Sequence, residues 1–325
     1  MIQRLLDHSK GKGFMRTKVI AYTLAVLSSI FFGLTFLGAK IALTELDPIQ
    51  VLACRWAVCL GLYIVLVVLG VIKVNLRGKS VKWLLLLGLA QPCISQIFET
   101  VGIDMVTASE SAIIYAMIPM MVALLSFVFL KKKIKRHVAV GMLIAFAGIV
   151  ISTVLAADFS VGGKLLGYLI LLIAVLFAAI YTILSEKLAD GFTATERSFA
   201  LAVIGFTWFN LIMLGQGSGL SAYRICFENP EVGLAILFLG AAGSFGGYFM
   251  FNYAVSHIPA AQTSVINTNL LSLTGVVAGI LIQGDSFGWY TVVGMAMIIV
   301  GVVIANLTRK DCDPEADMSN SVETK

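Results

Sequence analysis

The chain has 325 residues, 59% of them hydrophobic and 13% charged, with a formal charge of +5 and a mean hydropathy of +0.96. Soluble domains carry about 25% charged and about 45–50% apolar residues, so this composition excludes a soluble globular protein and points to an all-α integral membrane protein. The positive charge calls for no nucleic-acid partner, because basic loops on one membrane face account for it.

Residues 1–18 hold Arg4, Lys10, Lys12, Arg16 and Lys18 and read as a cytoplasmic segment. The first apolar run begins after Lys18. It is too long for a signal-peptide core and lacks a small-residue cleavage pattern. Met15, ahead of Arg16-Thr17-Lys18, offers an alternative start. A spanning helix needs about 20 mostly apolar residues. Ten runs approach that length, at 19–43, 49–72, 82–103, 107–130, 137–155, 165–187, 194–214, 232–254, 260–282 and 287–307. The connections are short except 215–231, where Gly215, Gly217, Ser218, Gly219 and Pro230 mark the one sizeable extramembrane loop. The polar tail, 308–325, reads as disordered and cytoplasmic.

Several runs begin with clear signals. Asp47-Pro48 places an N-cap before a first-turn proline. Thr107-Ala-Ser-Glu110 and Thr193-Ala-Thr-Glu196 fit the capping box, in which the two side chains satisfy free backbone amides. Lys and Arg set the orientation. Lys73, Arg77, Lys79 and Lys82 fall in the second connection, Lys131, Lys132, Lys133, Lys135 and Arg136 in the fourth, and Lys187 and Arg197 in the sixth. The opposite face offers only Lys164 and Arg224, which predicts both termini in the cytoplasm of a cell-membrane protein. The five cysteines, Cys54, Cys59, Cys93, Cys226 and Cys312, show no metal-like spacing, and no disulfide framework or zinc site is expected.

The chain repeats itself. Gly141-Met-Leu-Ile-Ala-Phe-Ala-Gly148 and Gly294-Met-Ala-Met-Ile-Ile-Val-Gly301 match at an offset of 153, and the stretch Ala108 to Tyr115 matches Ala260 to Asn267 at 152. This predicts two repeats of five helices, at 19–155 and 165–307. An odd number of helices per repeat inserts the second upside down relative to the first, an arrangement that places a site between them near the midplane.

The same stretches carry a resemblance. Phe32-Gly33 with Lys40, Pro48 with Ala53-Cys-Arg55-Trp, Ala108 through Pro119, Ala178-Ala-Ile-Tyr181-Thr, Asn252-Tyr-Ala254-Val and the two glycine-methionine stretches form an ordered set. That set resembles the drug/metabolite transporter superfamily and, within it, the EamA-type permeases. The resemblance implies ten helices and a substrate path lined by helices 1, 3, 4, 6, 8 and 9. The chain departs from the pattern at Leu271, where the first repeat has Pro119, and at Lys131-Lys-Lys133 and Asp285, where family members often have glutamate.

Charged side chains in the hydrocarbon region cost roughly 2.5–3.5 kcal/mol on insertion scales, so each needs a reason. Gln91, Ser95 and Glu99 fall at i, i+4 and i+8 on one face of a helix, and Glu99 is the leading substrate or proton site. Arg55 is read as a partner for an anionic substrate or for a carboxylate. Glu110 has a local reading in its capping box and a second as a partner of Glu99. Lys40 is expected to reach the headgroups. Tyr115, Tyr181, Tyr248, Asn267 and Asn269 are candidate ligand contacts, with interhelical hydrogen bonding as the competing reading. Gly243 with Gly247, and Gly275 with Gly279, allow close helix approach.

His8, His137 and His257 stand near segment ends, and neither a nucleophile–base pair nor a phosphate loop is found. The sequence therefore predicts a non-enzymatic secondary active transporter without cofactor or metal. It would move small metabolites such as amino acids by alternating access, with protons as the coupling ion through Glu99. A lipid-modifying membrane enzyme and a non-transporting sensor are the alternatives. Substrate and lipid bilayer are the expected partners.

Overall fold

The computed structural model of the chain describes residues 2–130, 140–141, 143–144, 147–148, 151, 164–217, 220–284 and 288–306. Among these residues all regular structure is helical. In chain order the helices are α1 (Ile2–Ala42), α2 (Pro48–Val68), α3 (Val81–Gly88), α4 (Ser95–Met105), α5 (Ala108–Tyr115), α6 (Ile118–Leu130), α7 (Lys164–Leu188), α8 (Ala194–Gly215), α9 (Ser221–Glu228), α10 (Pro230–Phe238), α11 (Tyr248–Val255), α12 (Ala260–Ala278) and α13 (Trp289–Asn306). Wider π-helical segments join α3 to α4 (Leu89–Ile94) and α10 to α11 (Leu239–Gly247), and extend α12 (Gly279–Gln283).

Among the described residues eight stretches are long and apolar enough to cross a membrane, and they match eight of the ten predicted runs. The tenth run coincides with α13. The fifth, 137–155, lies largely outside the described residues.

The start signals act as their chemistry requires. The Gln50 carbonyl accepts from the Asp47 amide at 3.0 Å, with Pro48 opening α2. The Thr107 hydroxyl accepts from the Glu110 amide at 3.1 Å, and the Glu110 carboxylate from the Thr107 amide at 2.9 Å. Thr193 and Glu196 repeat the exchange at 3.2 and 2.9 Å. Each box satisfies amides that a helix start would otherwise leave unpaired.

Packing crosses between the two parts of the chain: α1 lies along α12, α4 along α7, and α2 along α8. Gly33 and Gly275 permit the first of these contacts. A Cβ on Gly33 would stand 2.6 Å from the Leu271 carbonyl oxygen, and one on Gly275 would stand 3.3 Å from the Gly33 carbonyl oxygen.

Three expectations need correction. Lys40 does not extend to the headgroups; its ammonium donates to the carbonyls of Ile103, Asp104 and Val106 at 2.9, 3.0 and 2.9 Å. Those carbonyls end α4 and have no intrahelical donor, so a cation there also meets the negative end of the helix dipole. Arg197 is not a loop charge. It is fully buried and donates to the Ser185 carbonyl and hydroxyl, to the Asn252 carbonyl at 2.7 Å, and to the Ser256 hydroxyl. The loop expected at 215–231 contains α9, which is anchored by buried Ala222 and by the Tyr223 hydroxyl donating to the Asn210 side chain at 2.6 Å.

Candidate functional site

Two breaks create the site. At Leu89–Ile94 the chain leaves helical geometry, with Gln91 at φ −147° and ψ 118°. Pro92 is the cause, because it lacks an N–H and disfavours the α region for the residue before it. The predicted single stripe of Gln91, Ser95 and Glu99 is therefore wrong as a helical face. Gln91 and Glu99 both reach a common cavity, whereas the Ser95 hydroxyl donates to the Ala174 carbonyl at 2.9 Å and ties α4 to α7. The second break separates α5 from α6 at Ala116–Met117. Pro119 cannot donate to the carbonyl of Tyr115, so the helix restarts there. Tyr115 ends α5 and lines the cavity.

The cavity lies among α1, α2, α4, α5, α7, α11 and α12, with about 570 Å³ of empty space including its mouth. Its charged groups are Arg55 and Glu99. Both are buried, at 4% and 8% exposure. Arg55 Nε donates to the Ser244 hydroxyl at 2.6 Å. Among the described residues no direct ion pair closes between Arg55 and Glu99. Opposite charges thus share one low-dielectric space while remaining open to a ligand.

A polar layer completes one side. Gln91 Nε2 donates to the Tyr248 hydroxyl, and Gln96 Nε2 donates to the same oxygen at 3.0 Å. The Trp56 indole holds Gln96 by donating to its carbonyl at 2.7 Å. Gln91 Oε1 is buried without a hydrogen-bond partner, and the Tyr115 hydroxyl lies beside the Glu99 carboxyl. Buried polar atoms are almost always paired in native proteins, so the orphaned Gln91 Oε1 on the cavity wall marks where a ligand's polar group fits.

The remaining wall is aromatic. Tyr248 meets Phe32 edge-on at 5.1 Å and Tyr181 edge-on at 5.8 Å, and Tyr181 stacks on Phe251 at 5.8 Å. Phe36 meets Tyr115 edge-on at 5.1 Å. These are the offset and T-shaped contacts that aromatic quadrupoles favour. The Tyr181 hydroxyl donates to Asn252 Oδ1 at 3.1 Å, which is part of the network around Arg197. Across the cavity, Asn267 Nδ2 donates to the hydroxyls of Ser28 and Ser29 at 3.3 and 3.2 Å, linking α12 to α1.

Of the candidates named from sequence, Arg55, Gln91, Glu99, Tyr115, Tyr181, Tyr248 and Asn267 line the cavity. Three do not. Ser95 is an interhelical tie. Glu110 is held by its capping box and accepts from the Tyr168 hydroxyl at 2.8 Å. Asn269 is exposed on the outer side of α12. Sequence reasoning missed Phe32, Thr35, Phe36 and Thr182. The i, i+4 pair Phe32 and Phe36 is legible as a helical face, but in an apolar span it reads like any core stripe.

A model described as the EamA-like transporter family matches residues 19–154 and again 165–307. The chain is 31% identical to an uncharacterized transporter, YcxC, of Bacillus subtilis (strain 168), over 88% of this chain and 93% of that protein. It is 24% identical to an uncharacterized transporter of Archaeoglobus fulgidus, over 86% and 95% of the two chains. A solved crystal structure covering 88% of this chain and 96% of its own superposes with a TM-score of 0.62 at 17% identity, a likeness of fold alone.

Proposed function

The chain belongs to the EamA-like transporter family and is a multi-pass membrane transporter of small molecules; on that premise we propose that it is a secondary active transporter of small polar or amphipathic metabolites such as amino acids. The observation that carries this reading is the cavity itself. Arg55 and Glu99 offer opposite charges to one ligand, Gln91 Oε1 offers an unused polar atom beside them, and aromatic rings offer an apolar wall. A ligand with an anionic end toward Arg55, a cationic end toward Glu99 and a compact apolar body fits all three features. Binding pockets of this kind pair mostly apolar walls with a few placed polar groups.

Alternating access between two five-helix halves of opposite orientation is the proposed mechanism, in a ten-helix protein with both termini cytoplasmic. Its support is the double family match and the paired interruptions in the third span of each half, Leu89–Ile94 and Leu239–Gly247. Interrupted helices at corresponding places in two repeats are a recognised pointer to a transporter's binding site. Glu99 is the proposed proton-coupling group. The test is uptake in proteoliposomes across a panel of amino acids, with and without a proton gradient. Wild-type flux for at least one amino acid, accelerated by the gradient, is expected. Glu99→Gln should retain folded protein and lose the gradient's effect. Glu99→Gln flux that still responds to the gradient removes the coupling role, and wild-type protein that moves no solute on the panel removes the substrate class.

A further inference from the structure

Outside the cavity, one lipid-facing groove combines an apolar floor with unpaired positive charge. It runs between α3 and α8 and is lined by Leu76, Val81, Leu84 and Leu85 on one side and by Phe199, Ala200, Val203 and Ile204 on the other, with Lys82 at its edge. Phe199 to Ile204 extend about 8 Å along α8 at 1.5 Å per residue, enough for the upper part of an acyl chain. The approach of α3 to α8 is fixed below by Gly88, where a Cβ would stand 2.4 Å from Ile204 Cδ1.

Lys82 is the charged residue of the lining, and Arg77 follows the lining residue Leu76 in the chain. Lys73, Arg77 and Lys82 are exposed, and among the described residues none of the three side chains has a hydrogen-bond or ion-pair partner. The stretch from Lys73 to Lys82 contains no acidic residue. Lys79 is the exception among its basic residues, since its ammonium pairs with the Glu196 carboxylate at 2.6 Å and lies 5.3 Å over the Phe192 ring. Trp83, 53% exposed beside Lys82, suits a membrane–water border, where tryptophan concentrates. Basic side chains at that depth attract anionic headgroups, and the apolar groove below them takes the chain attached to the headgroup.

We propose that this groove is a binding site for an anionic glycerophospholipid, with its phosphate on Lys82, Arg77 and Lys73 and one acyl chain between α3 and α8. Because α3 belongs to the first stretch matched by the family model and α8 to the second, the lipid bridges the two halves beside the Lys79–Glu196 ion pair. A zwitterionic lipid fills the groove equally well but leaves the three cations without net compensation.

The test compares phosphatidylglycerol with phosphatidylcholine of identical acyl chains, added to the delipidated full chain in detergent. Retention is read by native mass spectrometry and stabilisation by thermal unfolding. Phosphatidylglycerol should be retained at least about tenfold more than phosphatidylcholine and should raise the unfolding temperature, since each basic residue engaged by the headgroup contributes about 1 kcal/mol. The K73E/R77E/K82E variant should lose that preference. Val203→Trp, which fills the groove from a partly exposed position, should lower retention of both lipids. Equal retention of the two lipids by the wild type overturns the proposal without recourse to any variant, as does a charge-reversed variant that keeps the preference. If Val203→Trp leaves retention unchanged, the groove is not where the lipid lies.

Discussion

The spans Val81–Met105 and Pro230–Val255 are both interrupted near their middles, yet by opposite means. In the first, Pro92 removes a backbone donor and turns Gln91 out of the helix, so the break delivers side-chain chemistry to the cavity. In the second, Leu-Gly-Ala-Ala-Gly-Ser-Phe-Gly-Gly supplies almost no side chain and lets other helices come close. A Cβ on Gly240 would stand 2.5 Å from Val58 Cβ, one on Gly243 2.5 Å from Thr35 Cγ2, and one on Gly247 2.7 Å from the Phe32 ring. One interruption provides functional groups and the other provides the space in which α1 and α2 hold theirs. They meet at Tyr248, whose hydroxyl receives Gln91 and Gln96 from the first span, while Ser244 of the second receives Arg55 from α2.

This division of labour can be broken from either side. Gly240→Leu should have the largest effect, because the added side chain meets both Val58 and the Arg55 carbonyl at 2.8 Å. Overpacking of a tight contact costs about 1–3 kcal/mol, so a lower unfolding temperature and a smaller monodisperse peak in size-exclusion chromatography are expected. Arg55→Ala comes next. It removes the cation that shares the cavity with the buried Glu99 carboxyl and takes the charged donor from the Ser244 hydroxyl, a hydrogen bond of a class that contributes about 1.5–3 kcal/mol. Ligand affinity measured by isothermal titration should fall by at least about a hundredfold, if the protein remains folded.

Tyr248→Phe sharpens the comparison, since it removes the oxygen shared by Gln91 and Gln96 while leaving the ring contacts. Unpaired buried polar groups cost about 1–3 kcal/mol, and a matching drop in thermal stability is expected. Pro92→Ala should act more on binding than on folding, because it permits a continuous helix and withdraws Gln91 from the cavity. A fall of several-fold in affinity with little change in melting temperature is the expected signature. Asn269→Ala should be the smallest, within about 0.5 kcal/mol in stability and with unchanged affinity, as an exposed position away from special features implies.

Much of this architecture was legible in the sequence. Threonine and glutamate at the spacing of a capping box fixed the starts of α5 and α8, because the motif depends on a single turn of the backbone and nothing else. Arg55 and Glu99 were legible as functional candidates, since a charge within an apolar span requires compensation. The stripe through Gln91, Ser95 and Glu99 was misread because Pro92 breaks the periodicity on which a shared face depends. Arg197 was counted among the loop charges because it lies close to a segment end. Its burial follows from carbonyls and hydroxyls on α7 and α11 that no linear reading brings near it.

Hydropathy and local hydrogen-bond chemistry act over one helical turn to one span, and these the sequence by itself determined: membrane residence, where most spans begin and end, and the doubling that the family model matches twice. Which polar groups face a common space was decided only by the tertiary structure. Asn267 and Asn269 are two positions apart and chemically identical, but about 200° apart around α12. One therefore lines the cavity and bonds to α1, while the other faces outward. The direction of a side chain around a helix acquires meaning only when neighbouring helices say where the inside is.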